Sequence, residues 1–380
     1  MAKIHSNGEK IRRRQFIQIC GKTIATISAA FLGIRSLMGC ASRLKEIKAN
    51  VYQQEWAANP VIPVPSNGCY TGLSIGLRPF FDHETNLEHL KFYVKKYIDD
   101  YTKKVNKPPS IYAVSASLAA NVFNENFPTN RCLASYYSGA IPLIKYMIKP
   151  FKTFREIAIG KFDKEIAEFA ERAKEFNKPY FFIPFGELNF ASRSGIDIVP
   201  FFGMPPDEFK EVYIHMHGIF RKSGANKNTV WVIQFETDPW GARYPGYFYP
   251  GDQYVDWIGF TVQNRTEAGH RYQDFRYRFR EDYDWARRNH PSKPIMLVEF
   301  GKSNDIDQPE WLRKAYTAIK EEFPAIKAAM AWEGILRFPK SGKRIDDQSS
   351  LVNPESIKAR RKALEDPYFI GSISSTLTNL

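Results

Sequence analysis

Eight short apolar runs, most followed by a helical pattern with one apolar face, predict an α/β chain closed as a single (β/α)8 TIM barrel. Two further observations support closure. The runs are hydrophobic throughout rather than alternating, as strands of a parallel sheet covered on both faces must be. No composition break after residue 68 marks a second domain, and no internal repeat is visible beyond the alternation itself.

Taken in order, the expected strands are Tyr70 to Ile75, Ile111 to Ser115, Pro142 to Met147, Tyr180 to Phe185, Val230 to Phe235, Trp257 to Val262, Ile295 to Glu299 and Ala328 to Glu333. The clearest helix runs from Lys161 to Phe176, where Phe162, Ile166, Phe169, Ala173 and Phe176 recur at helical spacing with charges opposite. Thr85 to Ile98, Asp207 to Arg221, Asp274 to Arg288 and Pro309 to Phe323 follow the same pattern. The barrel is expected over residues 68–370, with a disordered tail at 371–380.

The first 39 residues read as an export signal. Arg12-Arg13-Arg14-Gln15-Phe16-Ile17 is a twin-arginine pattern, and the apolar stretch from Ile24 to Ile34 is too short to span a bilayer as a mature helix. Leu37-Met38-Gly39-Cys40 resembles a lipobox, which makes Cys40 the expected lipidation site. Met38 is large for that position and Arg35 interrupts the apolar run, so ordinary cleavage or an uncleaved anchor stands as the alternative. Residues 40–67, ending in Pro60-Val-Ile-Pro-Val-Pro65, are expected to be a flexible tether. These features place the chain in the twin-arginine pathway, as a membrane-anchored lipoprotein facing the periplasm or cell surface.

Loss of the signal removes seven basic residues and one acid, so the +13 of the full chain falls to about +7. That balance suits an anionic polymer or an envelope surface and is not a nucleic-acid footprint by itself. Only Cys69 and Cys132 remain in the body, where a disulfide and two buried thiols are both open. His215 and His217, two apart on an expected helix, point to different faces, and no metal-ligand spacing occurs. No cofactor is expected, and the chain is read as a monomer.

Chemistry enters at two strand ends. Glu187 closes the run Tyr180-Phe-Phe-Ile-Pro-Phe-Gly-Glu, and Glu299 lies within Pro294-Ile-Met-Leu-Val-Glu-Phe-Gly301. Carboxylates are costly to bury, so a strand seldom ends on one without a use for it. Two acids at the C-terminal ends of barrel strands three units apart are what glycosidic bond hydrolysis requires.

Several segments in the right order resemble glycoside hydrolase family 26, the β-mannanase family of (β/α)8 retaining glycosidases. They are Gly160-Lys-Phe-Asp163 through Gly186-Glu-Leu-Asn189, Gly224-Ala-Asn-Lys-Asn-Thr-Val-Trp231, Tyr249-Pro-Gly-Asp-Gln-Tyr-Val-Asp-Trp-Ile-Gly259, Lys293 to Gly301, and a closing helix ending Asp366-Pro-Tyr-Phe369. The resemblance implies Glu187 as general acid/base and Glu299 as nucleophile, with carboxyl groups about 5 to 6 Å apart. The alternative is a pair of buried structural acids held by a neighbouring Arg such as Arg78.

The chain departs from the family at Gly186, where a His is usual, at the loop Phe190 to Gly195, and at Gln263 on the sixth strand, where a Tyr is common. These departures point to a changed substrate, mannan-like or an exopolysaccharide, or to a glycan-binding lipoprotein without turnover. Asn189, Trp240, Tyr247, Gln263 and Trp332 are the expected substrate contacts, since sugar C–H faces stack on aromatic rings at a barrel's open end. Phe248 and Tyr249 are as readily packing residues. The run Arg271 to Arg280 mixes aromatics and basic residues but is diluted by acids and reads as a solvated helix face.

The lipobox generates a first prediction. Cys40→Ser is expected to move the protein from the membrane to the soluble fraction or to block processing, because one lipid-bearing Cys is the anchor. Mass spectrometry of an intact N-terminus carrying an unmodified Cys40 contradicts it.

Overall fold

A computed structural model describes residues 62–75, 86–117, 127–147, 154–187, 189, 205–237, 244–337 and 343–372. The signal segment, Cys40, Arg78, the loop from Phe190 to Gly195, Trp240 and the residues after 372 lie outside the described residues.

All eight expected strands are present: β1 Cys69–Ile75, β2 Ile111–Ser117, β3 Ile141–Met147, β4 Tyr180–Ile183, β5 Thr229–Glu236, β6 Trp257–Asn264, β7 Ile295–Lys302 and β8 Ile326–Glu333. Each pairs in parallel with the next, and β8 pairs back onto β1, so the barrel closes. A short strand, Phe369–Ile370, adds to the outside of the start of β1. The helices are α1 Leu87–Val105, α2 Thr129–Tyr137, α3 Phe154–Ala158, α4 Asp163–Phe176, α5 Pro206–Ser223, α6 Phe275–Asn289, α7 Gln308–Glu321 and α8 Pro354–Leu364. Between β5 and β6 the described residues form two 3₁₀ turns, Pro245–Tyr247 and Asp252–Tyr254, in place of a helix.

Local chemistry sets several boundaries. Asn86 caps α1 by accepting from the N–H groups of Glu88 and His89. Asn106 and Asn177 end α1 and α4 in the left-handed region, at φ 58° and 48°, which Asn tolerates better than most side chains. Pro at the first position opens α5 and α8, where its missing N–H costs nothing.

Two apolar layers hold the barrel. Tyr70, Leu143, Phe181, Val232, Trp257, Met296, Val298 and Met330 fill the lumen. Outside the strands, Phe169, Phe182, Phe220 and Trp231 bind β4 and β5 to α4 and α5, with Phe182 stacked on Phe220 at 5.2 Å. Cys69 and Cys132 are buried thiols in this outer layer. His217 packs against Trp231, while His215, facing elsewhere, pairs with Asp163.

The end of the expected tether is corrected. Ile62 is fully buried with the lumen cluster, Tyr70 donates to the Pro63 carbonyl at 2.8 Å, and Lys327 donates to that of Ser66. Residues 62–66 therefore plug the floor of the barrel and belong to it. Their prolines fix an extended path that suits packing as well as it suits a spacer.

Two features set up the open end. After β8 the chain makes an antiparallel hairpin, Ile335–Arg337 with Arg344–Asp347, labelled β9 and β10. In β7 one extra residue is inserted: Phe260 pairs with Leu297 but Thr261 pairs with Glu299, and on the other side Leu297 and Phe300 pair with Ala329 and Ala331. This bulge turns both Val298 and Glu299 inward, whereas strict alternation would have left Glu299 facing the helices.

At the end of β8, Glu333 accepts from Arg360 of α8 at 2.6 Å and from Ser350 at 2.6 Å, both side chains being buried. Removing one member of such a pair leaves a buried charge without its partner. Arg360→Ala is expected to cost about 3–5 kcal/mol, measured by urea unfolding. A loss below about 1 kcal/mol would show that the pair does not hold α8 to the barrel.

Candidate active site

Glu299 is the centre of the open end. Its Oε2 accepts from Gln263 of β6 at 3.1 Å, while Oε1 accepts from the Lys145 ammonium of β3 and lies 3.5 Å from Ser74 Oγ of β1. Donors from three other strands thus converge on one carboxylate, which the β7 bulge makes possible. Gln263 is in turn held by Arg265 at 2.8 Å and by Gln348, which follows β10, at 3.2 Å. Gly301 is required beside this contact, because a Cβ there would meet Gln348 Oε1 at 2.6 Å.

Glu187 lies just past β4 with φ 51°, a left-handed conformation that costs a non-glycine residue about 1–3 kcal/mol. Its Oε1 accepts from Thr261 Oγ1 at 2.9 Å, and that hydroxyl accepts from Gln234 Nε2 at 2.8 Å. Gly186 leaves space on the same side, where an added Cβ would sit 3.2 Å from Gln234 Oε1. Burial raises the Glu187 pKa and the neighbouring Glu299 charge raises it further, with Arg265, Lys145 and the Thr261 bond opposing in part. The two glutamates therefore act electrostatically on each other.

A third acid stands beside them. Glu236 ends β5, almost fully buried, with Oε2 3.1 Å from Arg265 and Oε1 accepting from the Thr237 N–H. Partial burial of Lys145 lowers its proton affinity, but Glu299, Glu187 and Glu236 outweigh this and raise its pKa. Sequence reasoning missed Lys145 and Glu236. Both carried the signal that located the glutamates, a charge inside or at the end of an apolar run.

The remaining expected contacts separate. Trp332 is nearly buried on the inward row of β8, in register with Ser74, and so borders the Glu299 cluster. Asn189 lies behind the site: its amide donates to the Glu236 carbonyl at 2.9 Å and accepts from the Glu236 N–H at 2.8 Å. Tyr247 is exposed on the β5–β6 crossover with its ring edge-on to Tyr244, which leans on Trp285 of α6. No contact among the described residues joins it to either glutamate. Phe248 is buried and Tyr249 stacks on His290 at 3.8 Å, as packing residues do. In the basic run, Arg276 and Arg280 pair with Glu322, and Tyr277 is exposed.

No protein-family model matches the sequence, and no curated protein matches it significantly. Solved structures do match the fold. The Bacillus subtilis mannanase man26 aligns with a TM-score of 0.54 at 16% identity, covering 81% of this chain and 88% of that one. The Bacteroides ovatus β-mannanase BoMan26A gives 0.54 at 14% identity over 81% and 91%, respectively. GH26C of a Muricauda species gives 0.56 at 14% over 80% and 87%. The fold is similar to that of the family 26 mannanases, at low identity. At these identities the likeness establishes architecture, and chemistry has to be argued from the residues in place.

The raised pKa of Glu187 makes a prediction about stability. A carboxyl that titrates higher in the folded than in the unfolded chain contributes stability that is complete below the unfolded value, near 4.5, and lost as pH rises through the folded value. Glu187→Gln, which keeps an acceptor for Thr261, is expected to stabilise the protein increasingly from pH 4.5 upward. Thermal melts of both proteins across pH 4 to 9 test this, and a difference constant with pH contradicts it.

Proposed function

We propose that this chain is an exported, lipid-anchored retaining glycoside hydrolase that cleaves a β-linked polysaccharide, mannan-like or an exopolysaccharide. The observation that carries the proposal is the contrast between two electrostatically interacting glutamates at the C-terminal ends of β4 and β7. Glu299 is surrounded by donors on both oxygens, while Glu187 is partly buried, repelled by Glu299 and drawn toward its protonated form. Opposed environments for two carboxyl groups separate an acid from a nucleophile.

In the first step a Glu299 oxygen attacks the anomeric carbon as Glu187 gives its proton to the departing glycosidic oxygen, leaving a glycosyl ester on Glu299. In the second, Glu187 takes a proton from water as the water oxygen displaces Glu299 from the anomeric carbon. Gln263 and Ser74 hold the nucleophile, Thr261 and Gln234 orient the acid, and Trp332 offers an inward ring for the sugar face. Trp240 and Tyr247, on the loop after β5, are assigned to more distant parts of the polymer. Cys40 supplies the membrane attachment, and the barrel works as a monomer.

A second reading, glycan binding without turnover, draws on Lys145. An ammonium on Glu299 Oε1 occupies one of the two oxygens available for attack.

The kinetics of two variants separate the readings. Glu299→Ala is expected to abolish turnover, since no ester can form. Glu187→Ala is expected to lose about 10²–10⁴-fold on polysaccharide and far less on aryl glycosides, whose leaving groups need no proton. A wild-type protein that binds a glycan yet releases no reducing ends from a broad panel supports the second reading.

A further inference from the structure

Lys145 has no step of its own in the mechanism above. It is a cation on the inward row of β3, whose neighbours on that row, Ile141 and Leu143, are fully buried and apolar. Its ammonium reaches across the barrel to Glu299 on β7. Partly burying an amine at the top of an apolar row is costly, and a barrel that needed only packing here would hold Leu or Met. A use for the charge should therefore appear in the chemistry.

The double displacement moves negative charge from one glutamate to the other. Before the first step Glu299 is the carboxylate and Glu187 carries the proton. After it, Glu299 is a neutral ester and Glu187 is the carboxylate. Bond for bond, one C–O bond forms at Glu299, one breaks at the leaving oxygen, and the proton of Glu187 departs with that oxygen. The pair's total charge is unchanged while its position shifts, and the second step reverses the shift.

A cation fixed to one of the two glutamates would assist half of this cycle and oppose the other half. Arg265 is fixed to neither, being held between Glu236 Oε2 and Gln263 Oε1. Lys145 is different. Its ammonium sits on a flexible four-carbon stem, with three donors and no planar fork to satisfy. It already interacts electrostatically with Glu187 as well as with Glu299, from the strand beside β4.

We propose that Lys145 is the shared counter-ion of the two glutamates, paired with Glu299 in the resting protein and with Glu187 while Glu299 carries the glycosyl ester. The chemistry invoked rests on the glycosidase reading, but the charge transfer can be tested without turnover. Glu299→Gln mimics the ester, being neutral and of the same shape, and it should release Lys145 to Glu187.

The measurement is the titration of Glu187 by carbon NMR in protein labelled at glutamate carboxyl carbons, with the resonance assigned through Glu187→Gln. Four proteins are compared: wild type, Glu299→Gln, Lys145→Met and the double variant. Glu187 is faced by Glu299 from β7, Lys145 from β3, and Thr261 and Arg265 from β6 and the turn after it. The last two are unchanged throughout, so they cancel.

In Glu299→Gln, Glu187 is expected to titrate lower than in wild type by on the order of one pH unit or more. Adding Lys145→Met to that background is expected to move it back up by on the order of one pH unit. The double variant removes both members of a buried pair and leaves no uncompensated charge, so it should fold even where Lys145→Met alone does not. Thermal melts check this. If Lys145→Met leaves the Glu187 titration unmoved in the Glu299→Gln background, the counter-ion role is overturned. Failure to hydrolyse any glycan would sink the glycosidase reading and leave this titration fully readable.

Discussion

The structure depends on balancing charge inside a closed parallel barrel. Strands covered on both faces have to be apolar nearly throughout, and the lumen from Tyr70 to Met330 obeys that rule. At the C-terminal ends it is suspended, and Glu187, Glu236 and Glu299 meet Lys145 and Arg265. Each carboxylate is tolerable because a cation or several donors face it, and because the burial that remains uncompensated is absorbed by Glu187 holding its proton more tightly. The same imbalance that costs stability at Glu187 raises its pKa.

Backbone irregularity delivers these side chains. Regular alternation on β7 sends Met296 and Val298 into the lumen and would send Glu299 out toward α7. The bulge adds the residue that turns it back. At β4 the strand ends at Ile183 and Glu187 takes a left-handed turn. Both deviations cost energy locally, and both sit where a carboxyl group must be aimed. The hairpin β9–β10 adds outside support, since Gln348 steadies Gln263, which steadies Glu299.

Much of this was legible in the sequence. The eight strands and five of the helices followed from apolar runs and helical spacing, and the two glutamates from the improbability of a charge at such strand ends. The helix Thr129–Tyr137 was not legible, being short and lacking a side-chain cap. The β9–β10 hairpin, with strands of 3 and 4 residues, is too short to show a strand period. Gln234 and Thr261 are uncharged, so their presence at strand ends gave no signal until the structure showed what they hold. The bulge leaves no trace in composition. Adjacency of Asn189 to Glu187 in sequence gave no hint that its amide is bonded to the Glu236 main chain. The path of the segment carrying Tyr247 was not legible either, since a loop that follows a strand's C-terminal end need not remain there. This crossover returns along the flank to pack against α6.

The central claim is that Glu299 forms a covalent bond to sugar while Glu187 manages the proton. Exposure to a mechanism-based 2-fluoro glycoside or epoxide, followed by peptide mapping, addresses it directly. The account predicts one adduct per chain, on the peptide Pro294 to Gly301 at Glu299, formed in wild type and in Lys145→Arg but absent from Glu299→Ala. An adduct on another residue, or none from any glycone while the same glycone binds, contradicts it.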